Sequence, residues 1–289
     1  MRDETPSTTA MAVAWFRGLG SLPGRTPPVV HDPFAAVLLP AVPAAVLRAA
    51  EQAAPRAPWL RSALQAVSTP LARHVALRTA TIDGAVEEAI ADGARQLVIV
   101  GAGLDARAWR LPLARDIDAW EVDHPATQAF KRERTGQLLG RTTPVHFTAV
   151  DFERETLAGP LERAGHDATV PTVWIWEGVT MYLHPDATRG TLEAIAERSA
   201  PGSRLAMTYA WPGYARMPAW LDRPVQAAFD LLGESLRGAM TREEGTALLE
   251  ATGFRVLDEH GNREWATRFG EGAPAVEILE RLFIAERAG

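Results

Sequence analysis

Apolar residues recur along this chain in two rhythms. From Ala72 to Asp92 they return at helical spacing, with Val75, Thr79, Ile82, Val86 and Ile90 on one stripe. Gly93 follows, where a left-handed C-terminal turn favours glycine. The next apolar residues are consecutive, in the run Gln96-Leu97-Val98-Ile99-Val100. A continuous apolar run is what a parallel strand covered on both faces requires. Comparable runs lie at Ala119–Val122, Val145–Val150, Thr172–Trp176, Arg204–Tyr209, Phe254–Leu257 and Leu282–Ala285. Helical stretches such as Ala187–Ser199 and Thr241–Thr252 separate most of them. The alternation predicts an α/β protein with a mostly parallel, doubly wound sheet. The last two runs are separated differently, by a polar stretch holding Gly261, Gly270 and Gly272 with a short helical piece at Val276–Leu279. That spacing suits an antiparallel strand at the end of the chain.

The two flanks of this regular region have another texture. Residues 1–70 are rich in alanine and proline and read as helices broken at Pro23, Pro27 and Pro28 and again at Pro55 and Pro58. Trp15, Phe16, Trp211, Tyr214, Trp220 and Phe229 all fall outside the strand–helix core. We expect a helical N-terminal segment over 1–70 and a main domain over 71–289, with a lid insertion near 211–240 entered through Trp211-Pro212-Gly213-Tyr214. The aromatics there either wall a large flat substrate or pack the lid onto the domain. The longest apolar stretch, Ala35 to Leu47, contains Pro40 and Pro43 and is too short to cross a bilayer. The apolar patch at Met11–Phe16 lacks the order of a signal peptide, so a cytoplasmic protein with no membrane partner is expected.

Composition narrows the chemistry. With 47% hydrophobic and 23% charged residues the chain is an ordinary globular protein, and its lack of cysteine excludes disulfides, cysteine nucleophiles and cysteine-based metal sites. A net charge of −6 argues against nucleic acid as a partner. Lys131 is the sole lysine, so any Schiff-base or Walker-type role would fall to it; on a helix it reads as solvated. The seven histidines show no His-x-x-x-His spacing, and no metal is expected.

Gly101-x-Gly103-x-x-Ala106 ends the first strand and opens a helix. Gly101 permits a tight turn, Gly103 lets a ligand approach the backbone, and Ala106 allows close helix packing. About 20 residues on, Glu121 and Asp123 lie on one face of the next strand. Asp123 comes last and is the candidate for holding ribose hydroxyls. These features leave a nicotinamide dinucleotide and S-adenosylmethionine (SAM) both open. Two later strand ends, Asp151-Phe152 and Glu177-Gly178, point to an adenosine pocket lined from four successive strands. A dehydrogenase would want a proton-donor set such as Tyr with Lys three or four residues later, which the chain does not contain.

Taken together, these motifs resemble a known family. They are Arg78-Thr79, the stretch from Gln96 through Gly101-Ala102-Gly103-Leu104-Asp105-Ala106-Arg107 to Leu111, and Glu121-Val122-Asp123-His124-Pro125 with Lys131. Asp151-Phe152, the run Pro171–Gly178 with Tyr182-Leu183, and Ala200-Pro201-Gly202-Ser203 complete the set. In this order they resemble the leucine carboxyl methyltransferase family, and most closely its bacterial branch with polyketide carboxyl O-methyltransferases. The resemblance implies a Rossmann-like, seven-stranded class I SAM-dependent methyltransferase fold with an antiparallel last strand. It implies SAM as cofactor and S-adenosylhomocysteine (SAH) as product. By resemblance, Gly101 lies against the methionine part of SAM, with Ala102 and Gly103 also binding the cofactor, Asp123 holds the ribose, and Asp151 and Phe152 flank the adenine. Glu177 would sit beside the cofactor amine, Arg78 would receive a carboxylate, and Tyr182 would lie near the substrate acid. Arg73 competes for the Arg78 role, but spacing to the glycine turn favours Arg78. Asp-Phe replaces the frequent Asp-Leu at the third strand, which alters packing on adenine and not the reaction.

The expected acceptor is the carboxylate of a small molecule or natural product. A carboxylate arrives ionised and needs no general base, only groups to aim it, for which Arg78 and Tyr182 are the catalytic candidates. A phenol would need a base, with His184 and His146 as candidates. A protein that binds SAM without turnover is the third reading. Oligomeric state is not indicated by any pattern in the chain.

Overall fold

The computed structural model describes residues 7–22, 29–53, 56–138, 141–152, 154–212, 237–274 and 278–289, apart from the side chains of 58–69. Tyr214, Trp220, Phe229 and most of the expected lid insertion lie outside the described residues, as does the first half of the expected helical piece at Val276–Leu279.

Seven strands form one sheet: β1 (Gln96–Val100), β2 (Asp118–Asp123), β3 (Val145–Ala149), β4 (Thr172–Trp176), β5 (Arg204–Ala210), β6 (Phe254–Gly261) and β7 (Glu280–Arg287). Their order is β3-β2-β1-β4-β5-β7-β6. β1 pairs in parallel with β2 and β4, so that Val98 lies opposite Trp120 on one side and Trp174 on the other. β7 inserts antiparallel between β5 and β6. This is the doubly wound, mostly parallel arrangement expected, with its antiparallel strand at the end of the chain.

The period of two along β1 divides the interior. Leu97 and Ile99 face an apolar layer that includes Ile82 and Val86, together with Ala14, Leu19, Leu38 and Leu47 from the N-terminal helices. Val98 and Val100 face the other layer, with Trp174, Trp176, Leu192, Ile195 and Leu249. All residues of β1 and β4 are buried, which is why these strands read as unbroken apolar runs.

The N-terminal region forms α1 (Thr8–Gly20), α2 (Ala35–Leu38) and α3 (Ala41–Ala53). α4 runs from Pro58 to Ala91 and carries Pro70 inside it, so the helix crosses residue 70, where the regular pattern begins. A proline removes one backbone donor, and the turns on both sides hold the helix through it. Gly93, at φ +118°, ends the segment as expected. The remaining helices are α5 (Arg107–Arg110), α6 (Pro125–Thr135), α7 (Ala158–Arg163), α8 (Pro185–Glu197), α9 (Arg242–Ala251) and α10 (Asn262–Arg268). α9 starts at a reciprocal cap: Glu244 N–H donates to Thr241 Oγ1 at 3.1 Å, and Thr241 N–H donates to the Glu244 carboxylate at 2.7 Å. α10 falls where the sequence reads as a polar loop. Of its residues only Trp265 is a large buried hydrophobe, too little to set up a periodic stripe. No helix among the described residues is long and apolar enough to cross a membrane.

Candidate functional site

The carboxyl ends of the parallel strands gather most of the expected site residues. β1 ends in the glycine turn, where Gly101 and Gly103 have φ of +69° and +47°. A Cβ on Gly101 would come within 2.2 Å of Val179 Cγ2, and one on Gly103 within 3.0 Å of Ala10 Cβ. Glycine is required at both positions by conformation and at Gly101 also by space. The N–H groups of Gly101 and Ala102 both donate to Val122 O, at 2.8 and 3.0 Å, tying the turn to β2. Asp123, last on β2, accepts from the N–H of Gly103 and, at 2.6 Å, from that of His124. Burial raises its carboxyl above the ordinary range against the pull of these two donors. Gly101, Gly103 and Asp123 therefore form one unit.

Helix α1 borders this unit. Ala10 packs on Gly103, Ser7 N–H donates to Thr127 Oγ1 at 3.1 Å, and Arg17 donates to Leu104 O at 2.5 Å and to Asp32 at 2.9 Å.

Beside the turn lies a buried cluster of charges. Arg78 on α4 donates from Nε to Glu177 at 2.7 Å and from Nη1 to Glu280 at 2.5 Å. Glu177 follows β4 and Glu280 begins β7. His74, one turn before Arg78, meets Glu280 Oε2 at 2.8 Å. The other Glu177 oxygen accepts from Arg107 Nη1 at 2.5 Å, and Arg107 also binds Asp105 and, at 2.7 Å, Asp83. Arg110 reaches both oxygens of Asp83 at 2.6 Å. Burial opposes ionisation of Glu177, Glu280 and Asp105, but the paired guanidiniums outweigh it. Arg107 and Arg78 hold Glu177 below its usual range, and Arg78 with His74 lowers Glu280 to about 2. Asp105 is likewise depressed, mainly by Arg107, and Arg78 is raised by Glu280 and Glu177.

A carboxylate closing the Trp-Ile-Trp strand needs a cation, and here Arg78 and Arg107 supply it from within the chain. Arg73, the rival of Arg78, is elsewhere, 3.4 Å from Glu271 and bound to Gly272 O. Lys131 requires a correction. It is not a solvated helix lysine but is buried 2.6 Å from Glu121, and its ammonium lies 5.6 Å from the Trp109 ring centroid. Burial pushes Glu121 up to about 7 even beside that ammonium.

The other candidates flank the same edge. Asp151 and Phe152 follow β3, both half-buried, with Arg154 3.5 Å from Asp151 and Phe152 packed on the apolar layer that holds Trp176. Tyr182 ends the 3-10 turn Thr180–Tyr182 and is half-buried. That turn is anchored on β5, since Thr180 Oγ1 donates to Thr208 O and Gly178 N–H to Thr208 Oγ1, each at 2.8 Å. The chain returns beside it, with Arg237 and Gly238 N–H groups donating to Met181 O at 2.8 and 3.0 Å. Of the two histidines, His184 lies next to this turn, exposed and 3.3 Å from Arg237. His146 sits near the entering end of β3, its ring 5.0 Å from that of Trp120, roughly 10 Å of extended chain from the carboxyl edge. Sequence reasoning missed His74, Asp83 and Glu280. Arg107 and Asp105 stood inside the glycine motif, where the motif itself was the signal for them.

The cluster sets four carboxylates (Asp83, Asp105, Glu177, Glu280) against three guanidiniums (Arg78, Arg107, Arg110). Within it, Glu280 Oε1, Arg107 Nη2 and Arg110 Nε are buried with no hydrogen-bond partner among the described residues. A buried cluster that carries both charge signs and keeps unspent polar atoms of both kinds suits a ligand end that bears both an ammonium and a carboxylate. With the ribose-type acid Asp123 alongside, the residues fit an adenosyl amino acid.

The sequence profile of the leucine carboxyl methyltransferase family matches residues 10–196. This chain belongs to that family. A Mycobacterium sp. (strain KMS) member named "Putative S-adenosyl-L-methionine-dependent methyltransferase" is 38% identical over 190 residues, 63% of this chain. The chain spans 62% of the length of that relative. A Mycobacterium tuberculosis (strain H37Rv) protein of the same general name is 35% identical over 258 residues, covering 83% of this chain and 78% of its own. Among solved structures, a DUF574 family protein from Streptomyces avermitilis superposes with a TM-score of 0.61 at 15% identity, over 96% of this chain and 97% of that one. A Thermobifida fusca protein gives 0.57 at 17% identity, over 99% and 96%. These two likenesses show the shared fold.

Proposed function

We propose that this family member is a SAM-dependent O-methyltransferase acting on the carboxylate of a small molecule or natural product. The observation that carries the reading is the joining of Asp123 to the Gly103 N–H, next to the buried Glu177–Arg78–Arg107 cluster. SAM, when bound, supplies a methyl group on a positively charged sulfur. The chain's own residues bind and orient. Asp123 would accept from the ribose hydroxyls, Asp151 and Phe152 would border the adenine, and the backbone of Gly101, Ala102 and Gly103 would admit the methionine part. Arg78 and Glu177 would take its aminocarboxylate end. The engagement of Arg78 Nε and Nη1 by Glu177 and Glu280 supports assigning it there, which leaves Tyr182 to direct the acceptor.

A carboxylate acceptor is already ionised at neutral pH, so orientation and exclusion of water suffice. The position of His146 away from the carboxyl edge supports this acceptor over a phenol, because it leaves His184 as the one remaining base candidate of the two. The test is incubation with SAM and a panel of aromatic and aliphatic acids and phenols, reading SAH formation and the base lability of the product. A base-labile ester is expected. A base-stable ether would move the acceptor to phenols, SAH binding without turnover on any acceptor would favour a non-catalytic protein, and failure to bind SAM or SAH would end the reading.

A further inference from the structure

β7 is antiparallel, so it begins where the parallel strands finish. Its first residue, Glu280, lies in register with Ala210, the last of β5, and so reaches the ligand edge of the sheet from the far end of the sequence. There one oxygen does two things: Oε2 meets His74 Nε2 at 2.8 Å and accepts from Arg78 Nη1 at 2.5 Å. His74 and Arg78 are one turn apart on α4, on the same face. Both side chains and Glu280 are at least nine-tenths buried. Trp265 packs over the His74 ring at 5.3 Å between centroids and is itself held by a 2.6 Å hydrogen bond from Nε1 to His260 Nδ1. The imidazole is thus fixed before it reaches the carboxylate.

The consequence falls on Arg78. An arginine with one carboxylate partner can pivot about it, whereas one held at Nε and Nη1 by two separate carboxylates has its planar fork set. Glu177 supplies the first hold and Glu280 the second. We propose that Glu280, braced by His74, is a positioning residue that sets the Arg78 guanidinium against Glu177 and so determines how the aminocarboxylate end of the cofactor is received. This rests on the reading of the site as a SAM pocket.

The test compares two ligands that share adenosine and a thioether: SAH, which has the aminocarboxylate, and 5′-methylthioadenosine, which lacks it. Titration calorimetry of the full chain would give both affinities for wild type, Glu280→Gln and Glu280→Asp. Glu280→Gln keeps the volume and removes the anion; it should weaken SAH at least tenfold and methylthioadenosine less than twofold. Glu280→Asp keeps the charge but withdraws it by one methylene, and should weaken SAH alone, by several-fold. Equal losses for the two ligands would make Glu280 a merely structural residue, and unchanged SAH affinity would mean Glu177 sets Arg78 unaided; either result overturns the proposal. Should both Glu280 variants fail to fold, His74→Gln is read in the same way, with a selective several-fold loss for SAH expected and a non-selective or absent loss overturning it. A wild-type protein that binds neither ligand would instead remove the SAM reading itself.

Discussion

In Lys131→Met the Glu121 carboxylate loses the ammonium that lies 2.6 Å from it, at a place where both side chains are 1% exposed. Burial drives the Glu121 carboxyl up to about 7, with Lys131 opposing the rise and the charges of Asp105 and Asp123 adding to it. The unfolded chain releases this proton near pH 4.5, and the folded one holds it to about 7. Between those values the folded state binds the extra proton, so this group's contribution to stability falls as pH rises, by about 3 kcal/mol in all. Above pH 7 both states of the wild type are ionised and the loss stops. Without Lys131 the folded carboxyl rises further, the levelling is postponed, and the variant goes on losing about 1.4 kcal/mol per pH unit. Below pH 6 Glu121 is protonated in both folded proteins and their stability curves run parallel. Urea unfolding from pH 5 to 9 should therefore show a gap that is constant up to pH 6 and widens by about 2–3 kcal/mol by pH 9. Adding Glu121→Gln to Lys131→Met should abolish the widening. A gap that stays constant across pH 6–9 would refute the idea that Lys131 is what ionises Glu121.

Two further perturbations probe the glycine turn. Asp123→Ala removes the acceptor for the Gly103 and His124 N–H groups and the group assigned to the ribose, and should weaken SAH at least tenfold in calorimetry. It should weaken methylthioadenosine equally, because both ligands carry the ribose; a loss confined to SAH would place Asp123 at the wrong end of the ligand. Gly101→Ala puts a Cβ 2.2 Å from Val179 Cγ2 on a residue at φ +69°, and should cost about 2–3 kcal/mol of stability in urea unfolding. A variant as stable as wild type would show that the turn does not hold this conformation.

How much of the sheet can be read from the chain depends on what satisfies each residue. β4 is legible residue for residue, since all five positions of Thr172–Trp176 are buried and all but Thr172 are apolar. The antiparallel end is longer than its apolar runs: β6 continues beyond Leu257 to Gly261, and β7 starts at Glu280, ahead of Leu282. Two of the added acids are buried by pairing. Glu259 accepts from Arg281 and from the Tyr209 hydroxyl, and Glu280 from His74 and Arg78. A hydrophobic pattern detects burial by transfer from water and is blind to side chains buried by ion pairing. The same blindness hid Lys131, a helix lysine that its pair with Glu121 buries.

The candidate site divides along a similar line. Gly101, Gly103 and Asp123 are legible because the turn and the next strand end are joined by backbone geometry that recurs at fixed spacing. The charge cluster is not, because Arg78 meets Glu177 and Glu280 across separations of 99 and 202 residues that no local spacing encodes. Energetics could state that Glu177 must have a cation, but not whether the ligand or the chain provides it. The chain provides two. Neutralising Glu177 is then no longer the ligand's task. A cluster carrying both charges beside the glycine turn suits a ligand end with an ammonium and a carboxylate, a pair that a nicotinamide dinucleotide offers at neither end. The buried cluster, which the sequence did not reveal, thus joins the strand-end residues in favouring an adenosyl amino acid over a dinucleotide.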